Sequence, residues 1–362
     1  MMFETQGNAL SSPADSAMGN FNSTEVSTRP SFDSLPLHVG DPKASAWGLW
    51  GDEDELGALN LLNPALVKNA TREVVIGETI TLNLPLDAFI QPMNPVRKPC
   101  EHRIIPKGNA NDDEVSLLSH GSRSRVSNKL REQISINTQG ATHWDGPRHY
   151  PYQEHIQYYN GVTQDDISGP DNNTKLGIQN MARKSITGRG VLLDWYSWAT
   201  EKNITFDPFS TFGIPLSQLQ AVANAQKIEF QQGDILLVRT GWLPAYRALT
   251  VAEQLALPQR QVRASCGVEA SEEAIRWHWD HAFAAVASDT VAYEAWPSPK
   301  PWGVSMHEVF LSGWGMPIGE SFDLERLAVR CKELQRWSFM MVSVPLDIPG
   351  GIASPPSAVA IL

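Results

Sequence analysis

The segment from residue 139 to residue 149, QGATHWDGPRH, contains the side chains of this chain best suited to chemistry. Alternate residues of an extended segment point to the same side, so His143 and Asp145 are expected to project together, with Trp144 facing the other way. The Gly-Pro pair that follows predicts a turn, which can return His149 toward the same space. Imidazole nitrogen and carboxylate oxygen suit a divalent cation such as Zn²⁺ or Mn²⁺. A third imidazole that stays off the metal suits proton transfer.

Spacing alone leaves a second interpretation open, in which this segment is a polar turn with hydrogen-bonded histidines. Two ligands do not make a metal site, and further ligands must come from elsewhere in the chain. His307 and Glu320 flank a glycine-rich stretch and are the candidates. The pair His278 and His281 is explained as well by an amphipathic helix that packs its tryptophans.

The charge and composition of the chain argue against several classes of binding partner. The chain has 362 residues and a net charge of −11, which argues against a nucleic-acid backbone or an anionic membrane as its main partner. No apolar run reaches the ~18 residues that a membrane span needs. The start of the chain does not resemble a secretory signal, and its three cysteines lie far apart, so a cytoplasmic protein is expected.

Apolar runs and helical patterns are mixed along the chain, which predicts an α/β fold with a single domain over residues 31–362. Residues 1–30 are rich in Ser, Asn and Thr and predict a flexible tail. Residues 91–128 predict a long loop. The other segments are predicted as strands (79–86, 134–142, 190–195, 233–241, 284–289 and 339–346) or as helices (beginning at 64, and over 217–225, 269–283 and 323–331, the last with Asp323 as its cap).

The polar segment resembles the signature of the cyclase-like metal-dependent hydrolases, a family that includes kynurenine formamidases and isatin hydrolases. That signature is His-x-Gly-Thr-His-x-Asp-x-Pro-x-His, and the matching residues are Thr142, His143, Asp145, Pro147 and His149. Other segments, such as GRGVLLDW, GDILLVRTGW and PLDIPGGIASPPSAVAIL, also resemble the longer, fungal-type members. The resemblance covers roughly residues 35 to 362.

This resemblance implies a swivelling β/β/α fold with a mixed sheet, usually assembled as a homo-oligomer. It also implies roles for individual residues. His143 and Asp145 would bind metal and take part in catalysis, with His307 and Glu320 as later ligands and His149 as the catalytic acid–base residue. Gln139 stands where the signature has its first His, and its carbonyl oxygen could also bind metal.

The chemistry implied is hydrolysis of an amide, formamide or lactone by a metal-bound hydroxide, because a bound ion lowers the pKa of water from about 15.7 to near 7. His149 would pass a proton to the leaving group. The substrate is expected to be small and aromatic or cyclic. Aromatic residues predicted to contact it are Trp50, Trp144, Tyr159 and Trp302, with Trp47 and Trp296 in similar loops.

Two rival functions remain open from the sequence. In the first, His143, Asp145 and His149 act as acid–base groups without metal, in a cyclase or dehydratase of a small-molecule, natural-product pathway. In the second, the chain keeps the fold as a catalytically silent binding protein. Five polar groups buried together without a shared task would be costly, which argues against the second rival.

Overall fold

The computed structural model describes residues 29–106, 130–168 and 173–362. Its strands are β1 (Thr79–Thr81), β2 (Glu101–Pro106), β3 (Leu130–Ser135), β4 (His143–Asp145), β5 (Ile186–Leu193), β6 (Gly213–Ile214), β7 (Ile235–Val238), β8 (Gly267–Val268), β9 (Ala285–Ser288), β10 (Ile318–Glu320), β11 (Ser338–Pro345), β12 (Ala353–Ser354) and β13 (Pro356–Ile361). Its α-helices are α1 (Pro64–Ala70), α2 (Gln164–Ser168), α3 (Ile178–Lys184), α4 (Trp195–Glu201), α5 (Leu216–Ala225), α6 (Trp242–Ala248), α7 (Val251–Ala256), α8 (Glu272–Asp280) and α9 (Glu325–Leu334). A π-helix spans Glu308–Gly313.

A mixed nine-stranded sheet organises the fold, in the order β1-β13-β11-β5-β7-β9-β10-β4-β12. Its central strands β5, β7, β9 and β10 run parallel to their neighbours within that group. The strands outside this group pair antiparallel, and β4 lies between β10 and β12 near one edge. This arrangement confirms the α/β class and the mixed sheet.

Each central strand supplies side chains to both faces of the sheet, because successive residues point in opposite directions. In β7, Leu236 and Val238 belong to one hydrophobic core, whereas Ile235 and Leu237 belong to the other. Buried residues of α4, α5 and α8 cover the first core, and those of α3 and α9 cover the second. Strands buried on both faces are uniformly apolar, which is why these segments were recognisable in the sequence.

Most predicted helices and strands are present, with shifts at their ends. The predicted strand over residues 134–142 is wrong for most of its length, because β3 ends at Ser135 and β4 begins only at His143. Asn63 caps α1 by accepting a hydrogen bond from the backbone of Leu66 (3.0 Å), directly before the predicted helix start at residue 64. The prediction of Asp323 as a helix cap is wrong, because α9 begins after Leu324 and has no side-chain cap.

The predicted loop over residues 91–128 is only partly correct. Its residues 101–106 form β2, which pairs antiparallel with β3 as a hairpin outside the main sheet. The described side chains of this hairpin are mostly exposed, so no apolar alternation marked it as a strand. Residues 107–128 of the predicted loop and residues 1–28 of the predicted tail lie outside the described residues.

The first described residues contact α8. Trp279 donates a hydrogen bond from Nε1 to the carbonyl of Pro30 (2.9 Å), and the guanidinium of Arg29 lies over the Trp279 ring. Among the residues that the structure describes, no helix is long and apolar enough to cross a membrane.

Candidate metal centre

Strand β4 places the two central residues of the polar segment on one face of the sheet. His143 and Asp145 are both buried on the same side, as the period of two requires. Trp144 lies on the opposite side, where it packs edge-on against Phe322 and donates a hydrogen bond to Ser343 Oγ (2.9 Å). The core on that face therefore fixes the position of the polar pair.

Strand β10 brings Glu320 opposite His143 in the antiparallel register. Their side chains meet, with 3.2 Å between His143 Nε2 and Glu320 Oε2. The hydroxyl of Thr142, just before β4, donates to the carbonyl of Ser321, just after β10 (2.5 Å). The same hydroxyl accepts a hydrogen bond from the backbone N–H of Leu84 (2.9 Å).

The turn predicted after β4 is present and returns His149 to the site. The backbone N–H of His149 donates to the carbonyl of Gly146 (2.9 Å), which closes the turn. Arg148 anchors it from outside by donating to the carbonyls of Gly350, Ile167 and Asn173. His149 Nε2 then lies 3.7 Å from Asp145 Oδ2.

His307 enters from the start of the π-helix, an uncommon element that often marks functional sites. Its Nε2 lies 3.2 Å from Glu320 Oε1, and its Nδ1 lies 2.8 Å from Glu294 Oε1. The structure thus brings together all five residues for which the resemblance implied a metal or proton-transfer role. Their ligand atoms form two overlapping groups, Asp145 with His149 and His307, and Asp145 with His143 and Glu320.

A divalent cation fits this arrangement on two grounds. His143 Nε2 and Asp145 Oδ2 are buried without a hydrogen-bond partner among the described residues, and an unsatisfied buried polar atom is costly. The carboxyl groups of Asp145, Glu294 and Glu320 also outnumber the imidazoles of His143 and His307 that lie between them. Imidazole nitrogen with carboxylate oxygen is a donor set that binds such cations.

The charges of the site affect its histidines differently. Burial lowers the pKa of His307, but Glu294 and Glu320 outweigh this and raise it to about 10. Burial likewise lowers the pKa of His143, but the carboxylates of Asp145 and Glu320 outweigh burial. The pKa of His143 is therefore raised above its ordinary value. At neutral pH His307 therefore holds a proton that a bound cation would displace.

His149 differs, because burial lowers its pKa below the ordinary value despite the nearby carboxylate of Asp145. Conversely, the nearby imidazoles of His143 and His307 outweigh burial and hold the pKa of Glu320 well below its usual range. His149 is thus a neutral imidazole at pH 7, able to accept a proton.

Gln139 contacts the site with its amide nitrogen rather than with the oxygen predicted to bind metal. Nε2 donates to Asp145 Oδ1 (2.7 Å) and lies 3.3 Å from Nε2 of His149. The physical reason is that a buried carboxylate needs donors, and the amide N–H group supplies one. In this conformation Gln139 supports the candidate ligand Asp145 and does not offer its own oxygen to the site.

A cavity of about 300 Å³ opens onto the site and is lined by Gln139, His143, His149, His307 and Glu320. Its aromatic wall consists of Phe89, Tyr150 and Trp296. The Tyr150 and Trp296 rings meet edge-on with 6.4 Å between centroids, and both rings also approach that of His307. Trp296 was among the aromatic residues that the sequence placed near the site.

The four aromatic residues predicted to contact substrate do not line this cavity. Trp144 is in the opposite core, and Tyr159 is buried with its hydroxyl donating to Asp54 (3.0 Å). Trp50 packs against the two cores, and Trp302 packs on Phe32. Their large rings serve packing, so the positions correct this prediction.

The sequence had assigned no role to four residues of the site. Glu294 carries no motif in the sequence, and it proves to be the hydrogen-bond partner of His307. Tyr150 directly follows His149, a position that could have indicated it. Arg97 and Arg263 line the cavity from segments that carry no motif.

His278 and His281, the weaker metal candidates, are structural. His278 is buried between the carbonyl of Ala274 (2.6 Å from Nδ1) and the hydroxyl of Tyr293 (2.8 Å from Nε2). The ring of His281 stacks on Phe283. This agrees with the alternative of helix packing.

Comparisons with known proteins agree with this fold. A crystal structure described as a novel cyclase is 30% identical, with a TM-score of 0.73, and the match covers 88% of this chain and 99% of the other. Isatin hydrolase A from Ralstonia solanacearum is 16% identical (TM-score 0.52; 83% and 98% covered). An isatin hydrolase bound to the product analogue thioisatinate is 15% identical (TM-score 0.51; 82% and 98% covered). The last two similarities show the fold alone.

None of the curated proteins matches the chain significantly. The sequence model of the family described as "Putative cyclase" matches residues 57–295, which include the polar segment and Glu294. With most of the chain matched by the family model and by the 30%-identical structure, the chain belongs to the cyclase family.

Proposed function

We propose that the protein is a metal-dependent hydrolase that cleaves an amide, formamide or lactone bond in a small aromatic or cyclic molecule. The observation that carries this proposal is the convergence of His143, Asp145, His307 and Glu320 beside a cavity, with two of their buried ligand atoms left unpaired. His149 lines the same cavity as a neutral base.

The residues that would hold the metal are His143, Asp145, His307 and Glu320, and Zn²⁺ and Mn²⁺ both suit their donor atoms. A bound divalent cation would supply a water of lowered pKa and a polarised substrate carbonyl. Gln139 keeps Asp145 oriented through its 2.7 Å hydrogen bond.

His149 supplies the proton transfer. Hydrolysis adds a hydroxyl to the carbonyl carbon and a proton to the leaving nitrogen or oxygen, so one group must carry that proton between the two. His149 is suited to it because its pKa is lowered by burial and its ring faces both Asp145 and the cavity.

The cavity favours an aromatic or cyclic substrate. Phe89, Tyr150 and Trp296 offer ring faces and edges next to the ligands, and small-molecule sites are typically apolar clefts with a few polar groups. A neighbour of the same fold is an isatin hydrolase bound to thioisatinate, which supports this substrate class by analogy of fold.

Elemental mass spectrometry of protein purified without chelator tests the proposal. We expect about one or two equivalents of zinc or manganese per chain, removed together with hydrolytic activity by Asp145→Asn. The control Asp347→Asn changes an exposed carboxylate that pairs with Arg183, and it should leave both unchanged. Activity that persists in Asp145→Asn would contradict the mechanism.

One observation favours a second candidate, a metal-independent acid–base cyclase or dehydratase. Gln139 already donates to Asp145, where the family signature has a metal-binding His. A metal content near zero that stays unchanged after soaking with each ion would support this candidate. His143, Asp145 and His149 would then be the acid–base groups.

A further inference from the structure

Two guanidinium groups line the cavity of a chain whose net charge is −11, those of Arg97 and Arg263. Arg97 Nη1 donates to the backbone carbonyl of Gln139 (3.0 Å). Within residues 29–106, 130–168 and 173–362, its other donors have no hydrogen bond or ion pair, and neither does the guanidinium of Arg263. Among the described residues, each arginine therefore has donors without an acceptor at the edge of the space that a substrate would occupy.

Arg97 lies beside the metal centre. It binds the backbone of Gln139, whose side chain contacts Asp145. A group held by Arg97 would therefore lie next to the bond at which the centre acts.

The remainder of the cavity is suited to a ring. Phe89, Tyr150 and Trp296 form its aromatic wall, and a volume of about 300 Å³ lies at the small end of the usual range for ligand sites. This volume suits a substrate of one or two rings with small substituents.

We propose that the substrate is an aromatic compound that carries a carboxylate near the scissile bond, and that Arg97 and Arg263 bind this carboxylate. The inference rests on the proposed hydrolase function and narrows its substrate class. The guanidinium fork matches a carboxylate in two parallel hydrogen bonds, which makes arginine a specific reader of that group. A chain with excess negative charge repels anions in general, so local positive charge is needed to admit one.

Calorimetric titration of the purified protein with a matched pair of probes tests this. The probes are 2-aminobenzoate and its neutral relative 2-aminobenzamide, which share the ring and differ in the charged group. We expect the wild type to bind 2-aminobenzoate at least tenfold more tightly. Arg97→Gln and Arg263→Gln should each weaken 2-aminobenzoate by about tenfold, the scale of one charge-assisted contact, and change 2-aminobenzamide less than about twofold.

Arg260→Gln is the matched control, because Arg260 is exposed and close in sequence but lies over the ring of Phe209 instead of lining the cavity. It should leave both affinities unchanged. An unaltered preference in Arg97→Gln and Arg263→Gln would overturn the proposal. An equal loss in Arg260→Gln, or a wild type that binds 2-aminobenzoate no better than the amide or not at all, would do the same.

The outcome is separable from that of the hydrolase proposal, because binding requires no turnover. If the protein prefers the anion through both arginines and yet contains no metal, the anion-site proposal stands and the hydrolase proposal fails. If the protein is a metal-dependent hydrolase without that preference, the hydrolase proposal stands and the anion-site proposal fails.

Discussion

Glu294 holds His307 by two hydrogen bonds to one oxygen, because its Oε1 accepts both from the backbone N–H (2.9 Å) and from Nδ1 (2.8 Å) of that residue. Its Oε2 accepts from the backbone of Met306 (2.9 Å) and from the hydroxyl of Ser298 (2.7 Å). A proton held on Nδ1 turns Nε2 of His307 toward Glu320. Carboxylates that orient a ligand imidazole in this way strengthen its binding of metal.

The first prediction concerns this orienting contact. Glu294→Gln should weaken metal binding by about 10- to 100-fold, because the amide replaces the charged acceptor that fixes the ring of His307. Competition with a chromogenic chelator measures the dissociation constant. Glu308→Gln is the control, since it removes a neighbouring buried carboxylate that accepts from Ser305 and Gln153 without contacting the imidazole. Equally weakened metal binding in both variants would show that the effect comes from a general loss of structure and would contradict the orienting role of Glu294.

The second prediction separates proton transfer from metal binding. His149→Ala should retain the metal and lower kcat by about 10²- to 10⁴-fold, the usual contribution of general acid–base catalysis. Metal analysis and steady-state kinetics on the same preparation measure the two effects. A variant that loses its metal would show instead that His149 is a ligand.

The third prediction concerns acid stability. Burial lowers the pKa of His278 to about 3, below the ~6.5 of an unfolded chain. The unfolded state therefore binds the proton first as the pH falls, so the stabilisation is complete above about pH 6.5 and is lost toward pH 3. From pH 8 to pH 5 this group alone should reduce the free energy of unfolding by about 2 kcal/mol.

Urea unfolding of His278→Gln at both pH values measures this contribution. The variant should be less stable at pH 8, because its contacts with Ala274 and Tyr293 are altered. Its loss of stability between pH 8 and pH 5 should be about 2 kcal/mol smaller than that of the wild type. His38→Gln, an exposed position, serves as control. An identical pH dependence in wild type and His278→Gln would refute the assignment.

The fourth prediction concerns the support behind Glu294. A Cβ at Gly267 would overlap the backbone carbonyl of Glu294. Strand β8 pairs with the segment around Glu294 through backbone hydrogen bonds of Val268 with Tyr293 and Ala295. Gly267→Ala should therefore cost about 1 to 3 kcal/mol and weaken metal binding. Gly213→Ala in the paired strand is the control, since its Cβ would lie 3.2 Å from Cβ of Glu269, a milder contact than the 2.3 Å approach to the Glu294 carbonyl carbon at Gly267. Unchanged melting temperature and metal affinity in Gly267→Ala would count against this coupling.

Much of the fold could be predicted because its signals are local. The apolar runs that became β5, β7 and β9 are buried on both faces, and such strands need only their own sequence to be recognised. The common side of His143 and Asp145 follows from the period of two in β4. The return of His149 follows from the Gly-Pro turn.

The cavity wall could not be predicted, because it depends on which distant segments meet. Trp144 and Tyr159 have the composition of substrate contacts, yet burial of a large ring stabilises the core more than exposure in a cavity does. Arg97 and Arg263 are separated by more than 160 positions and acquire a shared role only through tertiary packing. The role of Glu294 likewise could not be predicted without knowing where His307 lies.

The alternation along β4 has a consequence for folding fidelity. If β4 slipped by one position against β10, the indole of Trp144 would enter the cavity, and His143 and Asp145 would be forced into the apolar layer around Phe322. Burying those polar groups there without partners would cost several kcal/mol, a large share of the stability of a typical domain. A misregistered molecule would therefore lose its fold along with its active centre, so the population that survives as folded protein is also the population with the ligands correctly aligned.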